Sequence, residues 1–131
     1  MHKTILCIDD TPQILLLYKR LLEDHGYKVV LAPNGRDGLE FMKRQPVDCV
    51  ILDYQMPEMD GAAVVRYMRH HHAPPPVILV SGSDIPRELQ GQVEAFVEKP
   101  MRSSELLECV EEVLACKERE HDERPPQQLG I

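Results

Sequence analysis

The sequence predicts a single α/β domain built on a doubly wound parallel sheet. Short apolar runs recur along the chain at residues 5–8, 29–31, 49–52 and 77–80, with a weaker fifth run at residues 95–97. They are β-branched, too short for helices, and mostly continuous rather than alternating, which is typical of strands buried on both faces. Strands that alternate with helices run parallel and are joined by right-handed crossovers.

Helix-length segments separate these runs. They occupy residues 12–25, 36–44, 61–71 and 104–116. The first begins after Thr11, a good N-cap, with Pro12 in its first turn and an apolar face that includes Ile14 and Leu17. Asp60 is a good N-cap for the third segment. We expect these segments to be helices that cover the sheet.

The composition changes after residue 116. Residues 117–131 are nearly all polar and contain Pro125 and Pro126. The apolar stripe of the last helix ends there, which favours a frayed helix end that runs into a linker. The predicted organisation is a domain over residues 1–116 and a polar tail or interdomain linker over residues 117–131, with a longer parent protein favoured.

Charge and composition argue against several functional classes. The net charge is -7, whereas a nucleic-acid surface needs clustered Lys and Arg. No apolar run approaches the ~20 residues that span a bilayer, and the N-terminus lacks a secretory cleavage pattern. The four cysteines form no C-x-x-C pair, so free thiols are expected. We expect a cytoplasmic protein without a membrane or direct nucleic-acid partner.

Polar residues follow the predicted strands at the points where they end. Asp9 and Asp10 follow the first strand, Asp53 the third, Ser81 the fourth and Lys99 the fifth. The carboxyl ends of parallel strands share one edge of an open sheet, where such folds bind ligands. We therefore expect three carboxylates, a hydroxyl and an ammonium group in one cleft.

The acid cluster predicts a cation and a chemistry. Two carboxylates about 4 Å apart repel by about 4 kcal/mol at an effective dielectric constant of 20, so the cluster needs positive charge. Oxygen ligands with positions left for water and phosphate suit Mg²⁺. An ionised carboxylate between a metal and a lysine is placed to attack an activated phosphorus. The sequence thus predicts phosphorylation of Asp53 beside a divalent metal held mainly by Asp9 and Asp10.

The same residues resemble the signature of response-regulator receiver domains of two-component signalling, including the chemotaxis regulators. The matching positions are Asp9 and Asp10, Asp53, Met56 and Pro57, Asp60 and Gly61, Ser81, and Lys99 and Pro100. The resemblance covers residues 3–116 and implies a flavodoxin-like (βα)5 fold with strand order 2-1-3-4-5. It implies a phosphohistidine donor on a sensor histidine kinase or phosphotransfer protein, and a downstream effector domain or protein.

The resemblance also implies a metal site. Asp53 would be the phosphoacceptor. Asp10, Asp53 and the backbone carbonyl of Gln55 would bind Mg²⁺ directly, and Asp9 would assist through water. The domain would catalyse only its own phosphorylation and dephosphorylation.

Three further positions would respond to the phosphoryl group. Ser81 would hydrogen-bond it, Lys99 would pair with it, and Phe96 occupies the aromatic switch position of the family.

Lys99 must turn back into the cleft directly after a strand, and an X-Pro bond tolerates the cis form at a cost of about 0.5–1 kcal/mol. We therefore expect a cis peptide between Lys99 and Pro100.

One stretch departs from the family pattern. Residues 81–96 are about one helical turn shorter than is usual, and they contain Pro86 and Gly91. This predicts a shortened fourth helix and an altered output face.

Two other functions are alternatives. An aspartyl-nucleophile, Mg²⁺-dependent phosphatase also uses acids, a hydroxyl and a lysine, but its second acid protonates the leaving group, and Gln55 stands at that position here. A degenerate receiver that only docks partners is the other alternative, and the intact acid cluster and Lys99 argue against it. Residues 70–72, three histidines, are interpreted as a helix end rather than a metal site.

Overall fold

The five strands form one parallel sheet in the order β2-β1-β3-β4-β5. The computed structural model describes residues 2–56, 59–70 and 73–122, with the side chains of residues 120–122 excepted. The strands are β1 (Thr4–Ile8), β2 (Lys28–Ala32), β3 (Cys49–Asp53), β4 (Val77–Ser81) and β5 (Ala95–Glu98). The helices are α1 (Pro12–Asp24), α2 (Gly35–Arg44), α3 (Gly61–Arg69), α4 (Arg87–Gln90) and α5 (Ser103–Asp122). This confirms the predicted doubly wound fold and its strand order.

Two apolar clusters cover the two faces of the sheet. One joins β1, β3 and β4 to α2, α3 and α4, and the other joins the opposite faces of those strands to α1 and α5. Strands β3 and β4 are buried at every residue. Burial on both faces is the reason that their sequences are continuously apolar.

The apolar face predicted for α1 is wrong at one residue. Leu17 is 62 % exposed, and the buried residues of the helix are Leu15, Tyr18 and Leu22. Residues 14–17 are all apolar, so hydrophobic periodicity alone does not determine which side faces the sheet. Thr11 stands at the N-cap position as predicted, but its side chain makes no capping hydrogen bond.

The fourth helix is short, as predicted. It has four residues, with Pro86 at its N-cap and Gly91 at its C-cap. Proline at the start and glycine at the end limit a helix in this way. The connection from β4 to β5 therefore presents mostly loop.

The last helix continues to Asp122, past its predicted end at residue 116. Residues 117–122 contain no glycine or proline, and most of them are good helix formers, so the backbone stays helical after the apolar stripe stops. Lys3 and Glu118 form an exposed ion pair at 3.3 Å. The rest of the predicted tail, residues 123–131, lies outside the described residues.

The described part of the chain contains neither a membrane-spanning helix nor a disulfide bond. No helix there is both long and apolar enough to cross a bilayer. All four cysteines are free thiols, as predicted, and burial raises the pKa of Cys7 and Cys49 far above the ordinary value.

Candidate functional site

Three carboxylates meet at the carboxyl edge of the sheet. Asp9 and Asp10 directly follow β1, and Asp53 is the last residue of β3. Ile8 pairs with Leu52 in the parallel ladder, so the acids that follow them are neighbours. Oxygen atoms of the three side chains lie within 4.8 Å of one another. The strand register therefore builds the acid cluster.

Asp9 is fully buried, and only one of its oxygens has a partner among the described residues. Oδ1 accepts a hydrogen bond from the backbone N–H of Thr11 at 2.9 Å, whereas Oδ2 is buried without a hydrogen bond. Burial raises the pKa of Asp9, and the Thr11 hydrogen bond and the charge of Lys99 oppose that shift. The ionised form thus lacks stabilising contacts at one oxygen.

Asp53 is 4 % exposed and lies between negative and positive charge. Its Oδ1 accepts from the backbone N–H of Gln55 at 3.3 Å and from Lys99 Nζ at 3.5 Å. Burial and then the charge of Asp9 raise the pKa of Asp53, while Lys99 and the Gln55 N–H act in the opposite direction. Added positive charge beside Asp53 would therefore favour its ionised form.

The position of Lys99 depends on the end of β5. Its backbone N–H donates to the carbonyl of Ser81 at 2.8 Å, which continues the pairing of β4 with β5. The peptide bond from Lys99 to Pro100 is cis. The ammonium group lies 3.5 Å from Asp53 Oδ1 and its side chain is 35 % exposed, so solvent has access to this side of the cluster.

The Ser81 side chain is buried at the end of β4, but its hydroxyl is engaged by its own loop. It donates to the carbonyl of Ser83 at 2.8 Å and accepts from the Ser83 N–H at 3.0 Å. Ser81 therefore lies at the expected edge with its proton directed away from Asp53. Sequence reasoning could not find this turn, because either serine could have faced the site.

Phe96 lies on the more exposed face of β5. In β5 the more exposed residues alternate with half-buried ones, and Phe96 is 44 % exposed.

Gly82 lies close to the site on the β4 side: a Cβ atom there would be 3.9 Å from both Gln55 Oε1 and Lys99 Cβ. The Gln55 side chain therefore reaches towards Gly82.

The donor set fits a divalent metal. All three side chains offer hard carboxylate oxygens, and the buried Asp9 Oδ2 is an acceptor without a partner in the described residues. Such oxygens suit Mg²⁺, which binds few protein ligands and retains water. This is the only group of three or more potential metal ligands that the described residues bring together. His70 caps the end of α3, and residues 71–72 lie outside the described part.

Sequence reasoning missed Tyr18. It lies on the buried face of α1 and is 4 % exposed. Burial is the main cause of its raised pKa, and the charges of Asp9 and Asp53 add to the shift. Its spacing from Leu15 and Leu22 was the available signal, but a tyrosine in an apolar stripe reads as core.

Comparisons with known proteins agree with this arrangement. Residues 5–111 match the family model for the response regulator receiver domain. The chain is 29% identical to the response regulator GtcR of Aneurinibacillus migulanus over all of this chain and 54% of that protein. It is 27% identical to the polar-differentiation response regulator DivK of Brucella anthropi, over 87% of this chain and 98% of that protein.

A crystal structure has the same fold. A response regulator receiver domain protein from Methanospirillum hungatei superposes with a TM-score of 0.86 at 27% identity, covering 92% of this chain and 99% of that one. The chain spans about half the length of GtcR, so GtcR contains further sequence beyond the matched region. With its family match over most of its length, the chain belongs to the response regulator receiver domains of two-component systems.

Proposed function

We propose that this receiver domain accepts a phosphoryl group on Asp53 from a phosphohistidine of a sensor histidine kinase or phosphotransfer protein. One observation carries the assignment. Asp53 is the residue whose buried carboxylate contacts the Lys99 ammonium at 3.5 Å while lying within 4.8 Å of the other two acids. No other carboxylate in the described residues combines these surroundings.

The metal in this proposal is Mg²⁺. Asp10, Asp53 and the backbone carbonyl of Gln55 would bind it, and Asp9 would act through water. When bound, Mg²⁺ supplies positive charge to the carboxylates and to the oxygens of the transferring phosphoryl group. The partnerless Asp9 oxygen and the raised pKa values of Asp9 and Asp53 support a cation at this position.

Three side chains then have separate roles in the transfer of the phosphoryl group. An Asp53 oxygen bonds to phosphorus as the P–N bond of the donor breaks, and the electron pair stays on the imidazole nitrogen. Lys99 pairs with a phosphoryl oxygen. The Ser81 hydroxyl leaves the Ser83 carbonyl to donate to another oxygen. Positioning and charge complementarity supply the catalysis, so the domain acts on its own aspartate and is not an enzyme for other substrates.

The phosphatase alternative has less support. A phosphatase of that kind needs an acid two residues after the nucleophile, and Gln55 cannot protonate a leaving group. GtcR and DivK, which match all and 87% of this chain, are response regulators.

Phosphorylation would alter a partner surface. Movement of Ser81 changes the loop before α4 and gives Phe96 room to turn inwards, which biases a packed two-state element. The partner would be an effector domain or protein in the cytoplasm. We further propose a domain over residues 1–116, with residues 117–131 as tail or interdomain linker.

The test is Mg²⁺-dependent modification by a small phosphodonor, read by intact mass. Wild-type protein should gain one phosphoryl group with Mg²⁺ and none with a chelator. Asp53→Asn should gain none, whereas Asp24→Asn, the same change at an exposed position, should react as wild type. Equal incorporation by Asp53→Asn would refute the assignment.

A further inference from the structure

A second polar residue lies beneath the acid cluster. Tyr18 packs in the apolar cluster formed by α1, α5 and the sheet, and it is 4 % exposed. Its hydroxyl is buried and has no hydrogen-bond partner among the described residues. A buried hydroxyl without a partner costs free energy, so this group calls for an acceptor.

The described residues contain only one other buried side-chain polar atom without a partner, and it is Asp9 Oδ2. The two atoms are complementary, because a phenol has a proton to donate and a carboxylate oxygen can only accept. A single hydrogen bond between the two would therefore satisfy both atoms.

Three observations place the two side chains on the same side of the sheet. Cys7 faces the α1 side of the sheet, and Asp9, two residues on, continues the ladder through its N–H to Ala32, so alternation directs both side chains to one face. Tyr18 packs in the same cluster as Cys7. The groove between α1 and α5 is lined by both Tyr18 and Lys99, so the phenol approaches the cluster from its α1 side.

We propose that Tyr18 is a positioning residue for the metal site: a small rotation of the two side chains, which are not hydrogen-bonded to each other in this structure, lets its hydroxyl donate to Asp9 Oδ2. The Thr11 N–H already holds Oδ1 at 2.9 Å. With both oxygens hydrogen-bonded, the plane of the Asp9 carboxylate is fixed relative to Asp10 and Asp53. This role rests on the proposed function, since it concerns the Mg²⁺ site.

Hydrogen-bond partners of this kind orient the groups around a metal, and their removal typically weakens metal affinity by about 10–100-fold. Asp9 acts through water in the proposed site, so we expect the lower end of that range. Tyr18→Phe keeps the ring and its packing and removes only the hydroxyl. It should bind Mg²⁺ about tenfold more weakly than wild type in calorimetric titration.

The matched control is Tyr27→Phe. Tyr27 packs against the same apolar cluster and is half-buried, and its raised pKa comes from burial and Glu111 rather than from the acid cluster. This variant should bind Mg²⁺ as wild type does. In an Asp9→Ala background, adding Tyr18→Phe should weaken binding no further, because no oxygen is left at position 9 to accept from the phenol. Equal affinity of wild type and Tyr18→Phe, or an undiminished effect in the Asp9→Ala background, would overturn the proposal.

A metal-free measurement tests the hydrogen bond even if Tyr18→Phe fails to fold or Mg²⁺ does not bind. The ¹³Cζ chemical shift of Tyr18 should change on Asp9→Ala, which removes the acceptor, while that of Tyr27 should not. No change at Tyr18 would refute the contact. Failure of wild type to bind Mg²⁺, with the Tyr18 shift still responding, would instead refute the proposed metal site and with it the positioning role.

Discussion

Removing the charge of Asp53 should stabilise the metal-free domain. Asp53→Asn keeps the shape of the side chain and an oxygen that can accept from the Gln55 N–H. It removes one of three clustered negative charges. The buried, ionised Asp53 is unfavourable in the fold, since its pKa is raised by burial and by the charge of Asp9.

The distances set the size of the effect. Oxygens of Asp9 and Asp53 lie within 4.8 Å, which corresponds to a repulsion of about 3.5 kcal/mol at an effective dielectric constant of 20. The Asp53–Lys99 pair at 3.5 Å opposes this, but Lys99 is 35 % exposed, and solvent-screened pairs are worth about 0.2–1 kcal/mol. The variant should gain about 2.5 kcal/mol.

The pH dependence follows from the direction of the shift. A raised pKa in the folded state means that protonation of Asp53 favours the fold. This stabilisation is fully present below the unfolded-state value near 3.8 and is lost as pH rises through the folded-state pKa. The advantage of Asp53→Asn should therefore be largest at neutral pH and should shrink towards pH 4.

Urea denaturation with a chelator at pH 7 measures the difference. At a slope of about 2 kcal/mol/M, the midpoint should rise by roughly 1 M. Asp24→Asn is the control and should move it little, because Asp24 is exposed at the end of α1. Saturating Mg²⁺ should stabilise wild type more than the variant. A variant less stable than wild type without metal would refute the electrostatic argument.

Three further predictions concern lifetime, output and packing. Replacing Gln55 or Ser83 should change the rate of self-dephosphorylation, measured as the loss of phosphoryl mass, because each lies two residues beyond a site residue and should flank the path of the attacking water. Unchanged rates in both variants would mean that the water approaches elsewhere. Hydrogen exchange with and without beryllofluoride should differ across residues 82–96 in a monomer, since α4 has only four residues; equal protection in both states, or a tight dimer through this region, would contradict this. Gly38→Ala should lower the free energy of unfolding by about 1–3 kcal/mol, because its Cβ would collide with the buried side chain of Ile8 in β1. Gly91→Ala, with 3.7 Å to its nearest neighbour, should be close to neutral in the same denaturation experiment.

Much of the site could be predicted because it depends on strand ends. Each of Asp9, Asp10, Asp53 and Lys99 follows a recognisable apolar run or closes it, and parallel topology brings those ends to one edge. The short α4 could also be predicted, because Pro86 and Gly91 act on the backbone locally.

Other features depend on contacts between distant parts of the chain. Residues 14–17 are all apolar, so only packing against the sheet decides that Leu17 is exposed and Tyr18 buried. The turn that directs the Ser81 hydroxyl to Ser83 is a matter of loop geometry.

The sequence by itself determined the fold class, the edge of the sheet that carries the chemistry and the acids that meet there. Hydrophobic period and the residue that ends each strand are local properties that can be identified along the chain, and the strand order was implied by the family resemblance. Only the tertiary structure decided that Asp9 Oδ2 and the Tyr18 hydroxyl are buried without hydrogen-bond partners among the described residues. Whether a polar atom is paired depends on every group packed around it, and those groups come from separate segments of the chain.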